Sequence, residues 1–173
     1  SDVNNNYNET DTKNILKKYN IKKPYILCGT NTAAHKNLNP LFVTHNILKT
    51  KGFKNSLIIT GVGTEIMTGT SCDYGLILNS KNPDVLGLGY LSNKEVDVII
   101  GNANIIVNPE LYTTANGPAT DGWAKGVPVA ISNIPPNVEQ LKYQNVSAEL
   151  FNPRYPDDIA EKIIKILNNY ENY

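Results

Sequence analysis

Short apolar runs alternate with longer segments of helical periodicity along most of the chain. Apolar runs that end in glycine or in polar residues occupy 24–29, 56–61, 85–89, 104–108, 128–132 and 147–151. Runs that are apolar at nearly every position, rather than at every second one, are typical of strands buried on both faces. The pattern therefore predicts six strands of a mostly parallel sheet.

Segments with helical spacing of apolar residues separate these runs. They predict helices over 11–19, from 39 onward, and over 93–100, 118–124, 137–141 and 156–167. Residues 64–84 are polar and rich in turn formers, and there we expect a long loop with a short helix. Strands alternating with helices indicate βαβ units with right-handed crossovers. The predicted fold is α/β, with a single Rossmann-like, doubly wound, mostly parallel sheet covered by helices on both faces.

The division of the chain follows from its polar opening. Residues 1–10 carry almost no apolar side chains, and we interpret them as a frayed lead-in. We expect residues 1–20 to form this lead-in and a short helix, and residues 21–173 to form the Rossmann-like domain. A chain of 173 residues is long enough for one hydrophobic core.

Composition excludes several classes of protein. Sixteen Lys and Arg balance sixteen Asp and Glu, so the basic surplus typical of nucleic-acid binding is missing. No apolar run approaches the roughly 18 residues of a membrane span, and no signal peptide opens the sequence. The two cysteines are too few for a disulfide framework and suit a reducing compartment. We expect a cytoplasmic protein without a transmembrane segment.

The loop at 29–37 follows the first predicted strand and is a candidate phosphate site. Its small side chains let a ligand approach backbone amides, and Lys36 supplies a point charge for a phosphate. A plain turn with a solvated lysine is the alternative. The glycine pairs at 61–63 and 87–89 do not complete a dinucleotide fingerprint, because Ile66 and Ser92 stand where its third glycine belongs.

The loop at 109–121 follows the fourth predicted strand and leads into a helix at Pro118. Backbone amides at a helix N-terminus bind diphosphates well. Asp121, one turn into that helix, can accept hydrogen bonds from hydroxyl groups, or it can simply complement the helix dipole. No metal site is expected, since His35 and His45 lack ligands at metal-binding spacing.

Four segments of the chain resemble the donor-binding domain of group 1, GT-B-fold glycosyltransferases. The run at 25–38 contains Lys36-Asn37, where the family has Lys-Asn after a Gly-Arg. The segment at 88–96 resembles the family's Gly-Tyr-Val-Ser/Pro-Asp-Glu-Glu-Leu. Residues 108–140 resemble a longer family segment, which reads Pro-Ser-x-Tyr-Glu-Gly-Phe-Gly-x-Pro, then a Glu, then Gly-x-Pro-Val and Ser-Asp/Asn-Ile-Pro. Residues 151–160 resemble the family's ending, which is Phe-x-Pro followed by a closing helix. The resemblance covers about residues 22–168.

This resemblance implies roles for particular residues. The donor's diphosphate would lie at Lys36, a phosphate or the sugar at the backbone amides of 114–117, the base at 89–91, and the ribose hydroxyls at Asp121. The implied binding residues are Gly29, Thr30, Lys36, Gly89, Tyr90, Leu91, Thr114, Ala115, Asn116, Gly117 and Asp121. The family's two Glu, eight positions apart, correspond to Thr113 and Asp121, which are the implied catalytic positions. Thr113 lacks the carboxylate, and Thr30 replaces the expected diphosphate-binding Arg.

The function implied is that of the C-terminal, donor-binding half of a glycosyltransferase. It would transfer a sugar from a UDP- or GDP-sugar to an unknown acceptor, with retention of configuration and with neither a metal nor a tightly bound cofactor. We expect the acceptor-binding N-terminal half to be a further domain of the same protein or a partner chain. Any association with the cytoplasmic face of a membrane would occur through that half. We expect the donor-binding domain alone to be inactive. The alternatives are a degenerate, non-catalytic binding or scaffold domain, and half of a GT-B-type nucleotide-sugar epimerase.

Overall fold

The computed structural model describes residues 7–73, 76, 77 and 81–172. Its helices are α1 Glu9–Lys18, α2 Leu38–Thr50, α3 Asn93–Gly101, α4 Gly117–Ala124, α5 Pro135–Gln144 and α6 Pro156–Asn168. Its strands are β1 Tyr25–Gly29, β2 Ser56–Thr60, β3 Cys72–Asp73, β4 Leu76–Ile77, β5 Val85–Gly87, β6 Ile105–Asn108, β7 Val129–Ser132 and β8 Glu149–Phe151. Short 3₁₀ turns occupy Ala34–Lys36, Thr64–Met67 and Tyr170–Asn172.

Six strands form one parallel sheet in the order β5-β2-β1-β6-β7-β8, which confirms the predicted doubly wound α/β fold. The first three strands proceed outward from β1 in one direction, and the last three proceed outward from β6 in the other. The strand order therefore reverses between β1 and β6. In a sheet of this type, ligands bind beyond the carboxyl ends of the strands at this reversal.

Two hydrophobic clusters cover the two faces of the sheet. Ile26 points into the cluster formed with α2 and α6, and Leu27 points into the one formed with α1, α3 and α4. Neighbouring residues on a strand face opposite sides, so β1 contributes to both clusters. Both side chains are almost fully buried. The helices therefore hold the sheet rigidly, and its loops at the carboxyl edge have a fixed base.

Several boundaries differ from the predictions. Helix α5 begins at Pro135 rather than at 137, because proline fits the first turn of a helix, where its missing N–H costs nothing. Helix α1 begins at Glu9, inside the predicted lead-in, because Asn8 caps it. The predicted loop at 64–84 contains the turn at Thr64–Met67 and the antiparallel pair β3–β4. Residues 1–6, 74–75, 78–80 and 173 lie outside the described residues.

Polar contacts join helix α1 to α3, with Glu95 accepting most of them and a second ion pair between Lys94 and Asp11. Glu95 accepts hydrogen bonds from the Lys18 ammonium (2.6 Å) and the Tyr19 hydroxyl (2.7 Å), and it closes a capping box with Ser92. The hydrogen bond from Lys18, followed by that from Tyr19, lowers the pKa of Glu95 to about 2.

Across the part of the chain that the structure describes, no helix has the length and apolarity needed to cross a membrane.

Candidate donor-binding site

A recess of ≈ 230 Å³ lies at the reversal of strand order, between the carboxyl ends of β1 and β6. Its lining consists of Gly29, Thr30, Asn31, Lys36, Glu110, Ala115, Asn116 and Pro118. Larger grooves of ≈ 470 and ≈ 480 Å³ lie at the amino ends of the strands, and hollows of ≈ 280 and ≈ 290 Å³ lie along the carboxyl edge, away from the reversal. We assign the candidate site to the smaller recess, because its position is the one at which parallel α/β sheets bind ligands.

The end of β1 forms the floor of the recess. A Cβ atom on Gly29 would lie 3.1 Å from Cγ of Pro118, so the start of α4 packs directly on this glycine. The amide of Thr30 donates to the carbonyl of Thr60 at 2.8 Å, which extends the pairing of β1 with β2 by one residue. The Thr30 carbonyl in turn lies very close to Gly61. A Cβ atom on Gly61 would be 1.7 Å from the Thr30 carbonyl oxygen. The backbone at Thr30 is therefore held from both sides.

Lys36 ends the 3₁₀ turn that follows β1, and Asn37 determines where that turn lies. Asn37 adopts a left-handed conformation (φ 56°), and its side-chain amide donates to the carbonyls of Pro109 (2.9 Å) and Pro153 (2.8 Å). One side chain thus connects the loops that follow β1, β6 and β8. This connection holds Lys36 over the end of β6.

Glu110 is the partner of Lys36, and the sequence analysis did not identify it. The Lys36 ammonium lies 2.7 Å from Oε2 of Glu110, whose side chain is 4% exposed. The other carboxylate oxygen accepts from the side-chain amide of Asn116 at 3.0 Å. A carboxylate two residues after the end of β6, at a position where the resembling family has Ser, was the available signal. The pairing itself joins residues 74 positions apart, which no local pattern reveals.

The N-terminus of α4 offers fewer free amides than the sequence predicts. The Asn116 side chain caps the helix by accepting from the amide of Ala119 at 3.1 Å, and the Asn116 amide donates to the Gln140 side chain at 2.8 Å. Pro118 has no N–H to offer. Among the described residues, nothing accepts from the amides of Thr114, Ala115 and Gly117.

The two positions implied as catalytic lie apart from the recess lining. Thr113 is buried, and its hydroxyl donates to the carbonyl of Ala115 at 2.8 Å. Asp121 is exposed on α4; partial desolvation, followed by the nearby charge of Asp97, raises its pKa. Asp97 lies on α3, so Asp121 faces the side of the sheet where the residues after β5 enter α3.

The predicted base-binding residues are likewise outside the recess. Gly89, Tyr90 and Leu91 follow β5, which is separated from β1 by β2. Tyr90 is 79% exposed, whereas Leu91 is buried against α3. The carbonyl of Gly89 accepts from the amide of Gly61 at 2.8 Å, which links this loop to the one after β2. The recess therefore gathers Gly29, Thr30, Lys36, Ala115 and Asn116 of the predicted set.

The cysteines offer no chemistry at this site. Cys28 and Cys72 are both free and buried. Burial raises the pKa of the Cys28 thiol to about 12, so it stays protonated and unreactive at neutral pH. Within 7–73, 76–77 and 81–172, no group of three or more His, Cys, Asp or Glu side chains is arranged to hold a metal ion.

Comparisons with known proteins agree with this architecture. The sequence profile described as glycosyl transferases group 1 matches residues 23–169. Among solved structures, HepE from Anabaena in complex with UDP and glucose superimposes with a TM-score of 0.71 at 10% identity, over 95% of this chain and 44% of that one. A glycosyltransferase from Rickettsia africae gives a TM-score of 0.70 at 18% identity, over 94% and 43%.

Sucrose-phosphate synthase from Thermosynechococcus elongatus is also similar, with a TM-score of 0.64 at 15% identity, over 91% of this chain and 40% of that one. A search of curated protein sequences found no match. The chain thus spans less than half the length of these structures, and at such low identity the likeness shows the fold alone: one Rossmann-like half of a GT-B fold. With its family profile matched over residues 23–169, the chain belongs to the glycosyl transferases group 1 family.

Proposed function

We propose that this chain is the donor-binding half of a glycosyltransferase, and that it binds the diphosphate of a UDP- or GDP-sugar in the recess between β1 and β6. One observation carries the proposal: Lys36 and Ala115, whose amide has no acceptor among the described residues, line one recess at the reversal of strand order in a group 1 chain. A cation and free amides at such a reversal provide the groups that bind a phosphate.

The remaining contacts of the donor follow from the loops beside the recess. The base would bind at the backbone of 89–91, and the ribose hydroxyls would donate to the carboxylate of Asp121, since both lie on the α3 side of the sheet. HepE was solved with UDP-glucose as well as with UDP and glucose, which supports a uridine nucleotide as the first candidate donor.

Sugar transfer itself requires an acceptor held against the donor. The recess of ≈ 230 Å³ is smaller than the about 300–1,000 Å³ of sites that enclose a small molecule. Because rate enhancement depends on holding donor and acceptor close together in the correct relative orientation, we propose that an acceptor-binding half completes the site. The proposed reaction is metal-independent and retains the anomeric configuration, and the donor-binding half alone has little or no activity.

A nucleotide titration tests the proposal. The chain would be titrated with UDP, GDP and ADP while its amide resonances are followed by NMR, together with Lys36→Ala. We expect saturable shifts around the recess with one base, and at least about tenfold weaker binding in the variant, since a charge-assisted hydrogen bond is lost and Glu110 is left unpaired.

Lys49→Ala is the matched control. Lys49 is also ion-paired, with Asp84, but the pair lies at the amino edge of the sheet, so its loss should leave nucleotide affinity unchanged. An equal loss of affinity in both variants would contradict the proposed site.

A non-catalytic binding domain is the second candidate, and two observations favour it. The Thr113 hydroxyl is engaged with the Ala115 carbonyl, and the Lys36 charge is already paired with Glu110. A domain of this kind would show no saturable nucleotide site, either alone or with the acceptor-binding half added. That result would exclude the enzyme.

A further inference from the structure

We propose that Glu110 is a specificity-determining residue of the donor recess: it serves as an internal counter-ion to Lys36 and penalises a ligand for each additional phosphate charge. The inference rests on the proposed function, because it concerns the recess to which the donor diphosphate is assigned. It adds a residue that neither the sequence pattern nor the family match identifies.

The ion pair makes the recess electrically neutral. Of the eight residues that line it, Lys36 is the only cation and Glu110 the only carboxylate. The two are 2.7 Å apart, with side chains 20% and 4% exposed respectively. Solvent therefore screens the Glu110 charge weakly, and the formal charge of the lining is zero.

Lys36 can still contact a phosphate, but its attraction is reduced. An ammonium group has three donors, of which Glu110 takes one. A phosphate oxygen placed on a remaining donor would also lie close to the Glu110 carboxylate. Like charges at short range repel, and the repulsion grows with the charge of the ligand. The penalty is therefore larger for the free diphosphate of UDP, with its ionised terminal phosphate, than for UMP or for the diphosphate diester of a nucleotide sugar.

Glu110 cannot easily turn away from the recess. Its second oxygen accepts from Asn116, which caps α4 and whose own amide is held by Gln140. Both carboxylate oxygens are thus occupied, and swinging the side chain outward would break two hydrogen bonds. Binding of a diphosphate must occur beside the carboxylate rather than in its place.

The exchange Glu110→Gln separates this role from a purely structural one. The amide side chain has the same shape and keeps an oxygen that accepts from Asn116, while the negative charge is removed and Lys36 is left unpaired. Glu110→Ser is a second variant that removes the charge with less bulk. Glu149→Gln is the matched control, because Glu149 is also ion-paired and mostly buried, yet lies on β8.

Calorimetric titration of the chain and its variants with UDP and UMP at low salt gives the readout. We expect Glu110→Gln to bind UDP about tenfold more tightly than the unaltered chain, with a smaller gain for UMP and a steeper salt dependence. The double variant Lys36→Met/Glu110→Gln should lose this gain, and Glu149→Gln should show none. If both Glu110 variants bound UDP no better than the unaltered chain, or if UMP gained as much as UDP, the proposal would be overturned.

Inorganic pyrophosphate separates this inference from the donor assignment. If neither nucleotide bound but Glu110→Gln bound pyrophosphate more tightly than the unaltered chain, Glu110 would control the charge of the recess and the donor assignment would fail. If Glu110→Gln bound neither pyrophosphate nor nucleotide, both proposals would be overturned.

Discussion

Single residues at the carboxyl edge of the sheet are constrained mainly by the close approach of backbones. Gly61 shows this best, because its φ of 124° and the neighbouring Thr30 carbonyl both exclude a side chain. The contact joins the loops after β2 and β1, and Thr30 lines the recess. A change at Gly61 would therefore act on the candidate site from outside it.

The exchange Gly61→Ala should lower the free energy of unfolding by about 2–4 kcal/mol, since the added Cβ would lie 1.7 Å from the Thr30 carbonyl oxygen. Gly52→Ala is the matched control. Gly52 also has a positive φ, of 88°, but nothing lies within 4 Å of its Cβ position, so only the backbone strain of about 1–2 kcal/mol remains. Urea unfolding measures both values. Equal losses of stability in the two variants would show that the loops after β1 and β2 can move apart to admit the Cβ at no cost in free energy.

At the scale of elements, the opposite edge of the sheet depends on a buried histidine. His45 on α2 has its Nε2 2.9 Å from the Asn55 carbonyl and its Nδ1 3.0 Å from the amide nitrogen of Asn82. The amide donates to Nδ1, so the ring is neutral with its proton on Nε2. Burial, aided by Lys49 and opposed by the Asn55 bond and Asp84, lowers the pKa of His45.

This lowered pKa predicts a pH-dependent stability. The unfolded chain takes up a proton at His45 below about pH 6.5, before the folded protein does, so the free energy of unfolding should decrease as the pH falls from 6.5 through the folded pKa. Urea unfolding at pH 7.5, 6.5 and 5.5 measures the decrease. His45→Gln should flatten it, whereas His35→Gln should retain it because His35 is exposed. A slope retained in His45→Gln would show that another group is responsible.

At the scale of the whole molecule, one sheet serves two hydrophobic layers. Strands β1, β2, β6 and β7 each contribute buried side chains to both clusters, and these four strands are hydrogen-bonded to one another in a single sheet. Loss of either layer exposes apolar surface of the same sheet. We therefore expect the two layers to unfold together.

Paired truncations on β1 test this cooperativity. Ile26→Ala and Leu27→Ala remove side chains of similar burial from opposite faces, and each should cost about 2–5 kcal/mol. Both variants should shift one common transition, seen identically by far-UV circular dichroism and by fluorescence of the single tryptophan, Trp123. A curve with two phases, only one of them shifted in each variant, would show that the layers unfold separately.

The elements of the fold were largely predictable from the chain because their signals are local. Short apolar runs marked the strands, and the apolar stripe of α6 marked its buried face. Boundaries were less accurate. Two prolines concealed the first turn of α5, and the polar character of Asn8 concealed its role as the cap of α1.

What the sequence by itself determined was therefore the series of strands and helices, the family, and the presence of Lys36 and a helix start in loops at one edge of the sheet. Tertiary structure alone decided that Lys36 meets Glu110, and that Asp121 and residues 89–91 lie beside the recess rather than in it. The physical reason is distance along the chain. Helix and strand patterns depend on neighbours a few positions apart, whereas the charge of the recess depends on two side chains 74 positions apart, brought together by the order of the strands.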